Sequence, residues 1–383
     1  MRRALMITAT TAALAVLAAP AADAAITWTV QPTPTPAQGV DGLLLGVSCD
    51  SSSDCTAVGG YTSNAGPVAL AEHWDGTSWA VQATPNPTGA SFSTLEGVSC
   101  PSASDCTAVG EYDINHGTTS LPLAEHWDGS TWAIQAMPVP AGAFGVQVRA
   151  VSCPTASDCT AVGHYAKQGS PDLTLAEHWN GSTWAVQAMP VASPVASSVF
   201  LNGVSCPAPG TCTAVGWFQR NGTGAFVALA ENNYSGSWRI RSVRGPSATL
   251  GQLNAVSCTA RANCTAVGTP SAGPALAEHW DGSTWTVQAT PGPVGAALNG
   301  VSCVSASNCT AVGTIPPTGV NQAAIAERFA GGAWHGEATA SPAADEVLAG
   351  VSCVSASICT AAGYHAVSST TVQSPLAEQS SGG

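Results

Sequence analysis

Val47-Ser48-Cys49-Asp50-Ser51-Ser52-Ser53-Asp54-Cys55-Thr56-Ala57-Val58-Gly59 reads as an apolar run, a polar turn and a second apolar run. The Val-Ser-Cys triplet recurs, ending at Cys100, Cys153, Cys206, Cys258, Cys303 and Cys353, at steps of 51, 53, 53, 52, 45 and 50 residues. A period near fifty indicates one supersecondary unit per repeat, stacked as a solenoid or propeller. A β-helix is disfavoured, because its coils are much shorter.

Outward from that stretch, the first repeat reads as four strands. Leu43 to Cys49 is strand a, and Cys55 to Tyr61 is strand b. After a loop, Leu70-Ala-Glu-His-Trp74 is strand c, and Trp79-Ala-Val-Gln-Ala-Thr84 is strand d. Asp75-Gly76 between c and d is a hairpin signal, because Gly tolerates positive φ. Trp74 and Trp79 flank that turn, and the same Trp pair recurs at Trp127/Trp132, Trp179/Trp184 and Trp280/Trp285. Such residues pair across an antiparallel hairpin. The chain is therefore predicted to be all-β: a seven-bladed β-propeller with four antiparallel strands per blade.

The two ends of the chain support that reading. The last repeat has strands a, b and c and no strand d after Glu378. Ile26-Thr-Trp28-Thr-Val-Gln31 has the strand d pattern, so the N-terminal strand is predicted to complete the last blade and close the ring. An open stack would leave unpaired strand edges, a hazard for a secreted protein. Residues 1–24 read as a secretory signal peptide: Arg2 and Arg3, an Ala/Leu-rich apolar run, then Ala22-Asp23-Ala24 as cleavage site. Residues 25–383 are expected to form one propeller domain, secreted and extracellular.

Fourteen cysteines fall two per repeat, always six positions apart: Cys49/Cys55, Cys100/Cys106, Cys153/Cys159, Cys206/Cys212, Cys258/Cys264, Cys303/Cys309 and Cys353/Cys359. Behind a signal peptide, an even count reads as disulfides, each clipping one tight hairpin at its a–b turn. Zinc sites need closer pairs and four converging ligands, so no metal is expected. No cofactor is expected either.

Asp128-Gly-Ser-Thr-Trp132 resembles the Asp-box and WD-type repeats of propellers. It departs from the Asp-box, which has one more residue between Asp and Gly, and it lacks the full WD signature. With the signal peptide and the Cys pairs, the whole chain resembles secreted repeat proteins of actinobacteria. That resemblance implies fold and location and transfers no catalytic residue.

Each strand c carries a glutamate: Glu72, Glu125, Glu177, Glu231, Glu278, Glu327 and Glu378. A catalytic group is needed once, not seven times. Repetition therefore assigns these residues to the scaffold, with Ser, Thr or backbone donors such as Ser48 or Thr56 as expected partners. The a–b and c–d turns are uniform, whereas the b–c and d–a connections differ. Loops on a rigid scaffold usually carry function. Candidate ligand-binding residues there are Tyr61, Tyr112, His116, His164, Tyr165, Trp217, Arg220 and Tyr364. Arg149 and Glu96 face the central region from their strands a. Arg239, Arg241 and Arg244 cluster in the fourth repeat and read as a solvated edge or an anion contact.

The net charge of −13 argues against nucleic acid and against anionic membranes, both of which need Lys and Arg. No P-loop, dinucleotide fingerprint, nucleophile elbow or zinc-protease motif appears. The expectation is a monomeric, non-enzymatic protein that binds a polysaccharide or a cell-surface or extracellular protein through its variable rim. Two alternatives stay open: a glycan-active hydrolase or lyase with one site at the channel mouth, and a structural envelope protein.

Overall fold

A computed structural model describes residues 26–36, 39–114, 119–191, 196–234, 236–241, 251–317, 322–340, 345–366 and 372–382. The signal segment 1–24, His116 and Arg244 lie outside the described residues. The described residues form twenty-eight strands and no helix.

The strands associate in fours, in chain order. β2 (Val40–Ser51), β3 (Asp54–Ser63), β4 (Gly66–Trp74) and β5 (Trp79–Gln82) form one antiparallel sheet. The next two groups are β6 (Ala90–Ser102), β7 (Asp105–Ile114), β8 (Thr119–Trp127) and β9 (Trp132–Gln135), then β10 (Ala143–Thr155), β11 (Asp158–Lys167), β12 (Leu173–Trp179) and β13 (Trp184–Val186). A single parallel bridge, Gly145 to Ser120, joins these two into one eight-stranded sheet. Two more four-stranded sheets run from β14 (Ala196–Ala208) to β17 (Trp238–Arg241) and from β18 (Gly251–Ala260) to β21 (Trp285–Gln288). The next runs from β22 (Ala297–Ser305) to β25 (Ala333–Glu337). In the last, β26 (Glu346–Cys353), β27 (Cys359–Ala366) and β28 (Gln373–Ser381) are followed by β1 (Thr27–Gln31). β1 pairs antiparallel with β28, Trp28 opposite Ser380 and Val30 opposite Glu378. The architecture is thus all-β and propeller-like.

Each residue of the Val-Ser-Cys triplet has its own task. The valine packs between sheets, as Val47 and Val151 do. The serine hydroxyl accepts the amide of the next repeat's cysteine: Cys100 donates to Ser48 at 3.0 Å, Cys153 to Ser99 at 2.9 Å and Cys206 to Ser152 at 2.9 Å. Cys258, Cys303 and Cys353 do the same to Ser205, Ser257 and Ser302. Cys49 donates to Ser352 of the last sheet at 3.0 Å. The cysteine itself closes the a–b hairpin. All seven pairs are disulfides: Cys49–Cys55, Cys100–Cys106, Cys153–Cys159, Cys206–Cys212, Cys258–Cys264, Cys303–Cys309 and Cys353–Cys359. No cysteine is free. That chemistry fits an oxidising compartment.

These disulfides clip their hairpins as expected, and they also take part in the core. The second cysteine of each pair, Cys55, Cys106, Cys159, Cys212, Cys264, Cys309 or Cys359, is at most 2% exposed. Each belongs to a different one of the seven hydrophobic clusters. The reason lies in the second strand, which has sheet neighbours on both sides and is packed above and below. Its cysteine therefore sits in the core while the polar turn before it stays wet. The buried sulfur also meets a threonine hydroxyl of the preceding repeat. Cys159 lies 3.8 Å from Thr107, Cys212 3.4 Å from Thr160, Cys264 3.6 Å from Thr213 and Cys309 3.6 Å from Thr265. Cys55 meets Thr360 of the last sheet in the same way, at 3.7 Å. A disulfide sulfur carries no proton, so the hydroxyl supplies it.

A second set of links runs through the edge strands. The indole of Trp79 donates to Gln31 at 3.0 Å, Trp132 to Gln82 at 2.8 Å, Trp184 to Gln135 at 2.9 Å and Trp334 to Gln288 at 2.9 Å. Trp28 donates to Glu337 at 2.9 Å. Each of these Trp residues is at least nine-tenths buried. The Trp-x-x-Gln spacing thus hydrogen-bonds every such sheet to its neighbour while the ring itself fills the space between them.

Candidate ligand-binding site

Every innermost strand has the same irregularity. Its register shifts between Leu44 and Gly46, Leu95 and Gly97, Val148 and Ala150, and at the matching place in the other four sheets. A β-bulge takes one residue out of the ladder and re-aims its side chain. The residues so released are Leu45, Glu96, Arg149, Asn202, Asn254, Asn299 and Ala349. The last six, with Gly46, help line a shallow central depression of about 170 Å³. Directly after each bulge stands Gly or Ala, and a Cβ built on Gly97 would lie 3.1 Å from Ala150 Cα. Small residues there let the strand backbones touch. Opposite the bulge, strand b needs glycine: a Cβ on Gly110 would lie 2.0 Å from Thr94 O.

The released residues make the centre asymmetric. Asn202, Asn254 and Asn299 each donate Nδ2 to the neighbouring strand's Leu253, Leu298 or Leu348 carbonyl at 2.9–3.0 Å. On the other side Arg149 Nη1 lies 3.4 Å from Glu96 Oε2. Arg149 Nη2 also donates to Gln147 at 2.7 Å, and Gln147 Nε2 donates to Glu111 at 3.1 Å. Ser120 donates to the second oxygen of Glu111. Burial pushes the Glu96 carboxyl up, with the Arg149 charge opposing and Glu111 adding to the rise. This connected charged network spans two repeats of a chain with only 9% charged residues.

An aromatic run adjoins it. Gln147 is the strand partner of His164. His164 meets the Phe200 ring edge-on at 4.1 Å, Phe200 stacks on Trp217 at 4.3 Å, and Trp217 meets Phe226 at 5.0 Å. Burial, aided by the Arg149 charge, pushes the His164 imidazole down to about 3, so it is neutral at physiological pH.

Of the residues singled out from sequence, the structure brings His164 and Trp217 together. Tyr165 follows on β11 and packs on its own core cluster. Arg220 ends β15 (Thr211–Arg220) and is exposed. Tyr61, Tyr112 and Tyr364 sit in three other repeats, half-buried, and join no common site. Sequence reading missed Phe200, Gln147 and Glu111. The available signal was the position six residues before the first Cys, where Gln147 and Phe200 stand, and the position five after the second Cys, where Glu111 stands. Arg239 is exposed, and Arg241 lies 6.0 Å from the Trp280 ring, on the edge strand position that holds Gln in five other repeats and Glu337 in the sixth. Trp285 Nε1 accordingly has no acceptor.

The strand c glutamates are all 0% exposed, as a scaffold role requires. Their partners are not the ones expected. Ser48 is engaged by the Cys100 amide and the Thr56 hydroxyl by the Cys106 sulfur. Neither oxygen of Glu72, Glu125, Glu177, Glu231 or Glu278 has a hydrogen-bond partner. Burial raises Glu72, Glu125, Glu177 and Glu231 to about 8 and Glu278 to about 7. Burial thus favours the neutral acid over a buried charge at these positions. Among the described residues no group of His, Cys, Asp or Glu converges as a metal site, and no helix is long and apolar enough to cross a membrane.

No protein-family model and no curated protein matches the chain. Solved structures do. The chain is similar to YCF48 bound to D1 peptide, with TM-score 0.57 and 12% identity over 95% of this chain and 99% of that one. It is similar to YCF48 from Cyanidioschyzon merolae, with TM-score 0.54 and 13% identity over 92% and 98%. It is also similar to a protein of unknown function from Dyadobacter fermentans, with TM-score 0.51 and 10% identity over 93% and 98%. At these identities the likeness concerns the β-propeller fold alone.

Proposed function

We propose that the chain is a seven-bladed propeller closed by β1, exported through its 1–24 leader, and that it binds a carbohydrate or protein without catalysis. The binding face is the rim of b–c and d–a connections, in the sector of blades two to four. One observation carries this reading. The Glu96–Arg149–Gln147–Glu111 network and the adjoining His164–Phe200–Trp217–Phe226 run break an otherwise uniform repeat in one sector. A scaffold alone has no use for that asymmetry. A similar structure, YCF48, holds a peptide, which is compatible with a propeller used for binding.

Binding is favoured over hydrolysis by the carboxylates. Glu111 is buried, with its oxygens taken by Ser120 and Gln147. Glu96 is paired with Arg149 beside a depression of only about 170 Å³. Two free carboxyl groups in a deep cleft, as glycoside hydrolysis needs, are not assembled there. The test is a glycan array beside a peptide array, then affinity measurement on each hit with Arg149→Ala and Trp217→Ala. Loss of about tenfold or more in either variant, with Tm nearly unchanged, supports the reading. Hits unaffected by both variants, or turnover of a glycan hit, overturn it.

A further inference from the structure

A groove of about 820 Å³ opens at the loop end of β11 to β13, against the connection before β10 and the start of β14. Its walls include Val139, Tyr165, Leu173, Val186, Met189 and Val191. Smaller hollows of about 460 and 260 Å³ stand at the matching place on β3 to β5 and on β27, β28 and β1. Those carry polar walls, including Ser63, Thr84, Asn86 and Ser93 in the first and Thr33, Thr35 and Ser374 in the second. Of these three, the groove on the third repeat is the largest and the most apolar. Val139 is 45% and Val191 74% exposed, and clustered apolar surface on a soluble protein marks an interaction site.

We infer that this groove seats an extended polypeptide segment, with an apolar side chain in the groove and a Lys or Arg beside it. The inference rests on the binding reading above and names its partner class. Charge complementarity points to the cation: Asp172 is the one charged side chain among the described lining residues, in a chain of net charge −13. The backbone supports a polypeptide. β13 is the outer edge of its sheet and only three residues long. Its inward bonding ends with the Gln187 amide on Ala176 O, and an edge strand offers its outward N–H and C=O groups to an added strand. Sugar is disfavoured by the same walls. Gln187 Oε1 already accepts the Trp238 indole at 2.6 Å, and the described lining residues include no tryptophan on which a sugar ring could stack.

The test uses fluorescence anisotropy with three labelled peptides built on Lys-Leu-Val-Leu-Lys, Glu-Leu-Val-Leu-Glu and Lys-Ser-Ser-Ser-Lys, plus labelled chitohexaose. The proteins are wild type, Val191→Asp, Asp172→Lys and Arg149→Ala. The expected result is a preference of about tenfold or more for the first peptide, lost in Val191→Asp and switched toward the second peptide in Asp172→Lys. Absence of a preference among the peptides, or insensitivity to both groove variants, overturns the inference. So does chitohexaose binding that Val191→Asp abolishes. A ligand weakened by Arg149→Ala alone overturns the groove and leaves the rim reading standing. No binding by any probe or array ligand sinks both.

Discussion

Ala340 donates its amide to the buried carboxyl of Glu378 at 3.3 Å. Ala340 stands six residues after the edge Trp334 of the preceding sheet. Five other repeats carry proline at that place: Pro34, Pro85, Pro138, Pro190 and Pro291. Proline has no N–H to give. The bond that Glu378 receives at this position is therefore not available from Pro34, Pro85, Pro138 and Pro190 to Glu72, Glu125, Glu177 and Glu231 in the repeats that follow them, and none of those four carboxyls has a hydrogen-bond partner. Without a donor, a buried carboxyl keeps its proton.

The sign of the resulting pH dependence follows. Burial raises these glutamates from 4.5 to about 7–8, so between those values the folded protein holds protons that the unfolded chain has released. Stability therefore falls as pH rises through that window. Below about pH 6.5, neutral His164, pushed down to about 3, acts in the opposite sense and costs stability as pH falls. The clean window is thus pH 6.5 to 8.5, where Tm should drop steadily. Glu125→Gln should flatten the slope and stabilise the fold at pH 8.5 by on the order of 1–3 kcal/mol. A wild-type Tm that is level across this window refutes the neutral-acid account. Glu125→Ala should still destabilise, through the cavity it leaves rather than through orphaned donors.

The edge-strand Trp–Gln links give a second, paired test. Gln82→Leu removes the acceptor of Trp132 Nε1 and should cost about 1–2 kcal/mol, the price of a buried donor left unpaired. Arg241→Gln does the reverse. It gives an acceptor to Trp285, which is 1% exposed and has no partner for its indole N–H, and should raise Tm by a few degrees. Calorimetry on both variants decides. A lower Tm for Arg241→Gln would mean that the cation over Trp280 matters more than the missing bond.

Much of this architecture was legible in residues whose role is local. The disulfide of Cys49 and Cys55, the Trp74–Trp79 contact at 5.8 Å and the pairing of β1 with β28 all follow from spacing within one repeat or from a pattern missing at one end. What stayed hidden depends on the neighbouring sheet. Ser48 and Thr56 looked like donors for their own Glu72, yet both face the second repeat. Gln31 was read only as part of the strand d pattern, and it is the acceptor for Trp79. Cys159, Cys212, Cys264 and Cys309 were read as hairpin clips, and each is also core packing for its own blade and a contact for the threonine of the blade before. In a repeat, such contacts have the same sequence period whether they form within a unit or between units, so periodicity cannot tell them apart. Glu96 and Arg149 were visible as odd residues, but the bulge that turns them to the centre is a backbone irregularity with no fixed residue signature.

The disulfides should be individually modest. Each closes a hairpin of about seven residues, worth roughly 2 kcal/mol in the chain-entropy model. Replacing Cys100 and Cys106 together by alanine should lower Tm and leave a folded protein, because the Cys100 amide still bonds Ser48. Non-reducing peptide mapping of the wild type should recover the seven local pairs and no others. Mixed pairs between repeats would contradict the pattern.

Removing residues 26–32 tests the role of the N-terminal strand. The truncated chain loses β1, and with it the pairing along β28, the Trp28 bond to Glu337 and the Gln31 acceptor of Trp79. It also uncovers the buried Trp28 site and bares the edge of β28, a template for association with a second chain. Expected are a Tm lower by at least several degrees and a shift toward oligomers in size-exclusion chromatography. Adding a synthetic peptide of residues 26–36 should restore Tm in part, because the vacated edge and indole pocket are complementary to it. Trp28→Ala within that peptide should abolish the rescue, since the indole supplies both the buried area and the bond to Glu337. An unchanged Tm for the truncated chain, or rescue by the Trp28→Ala peptide equal to that of the native one, would show that β1 only decorates a structure held together elsewhere.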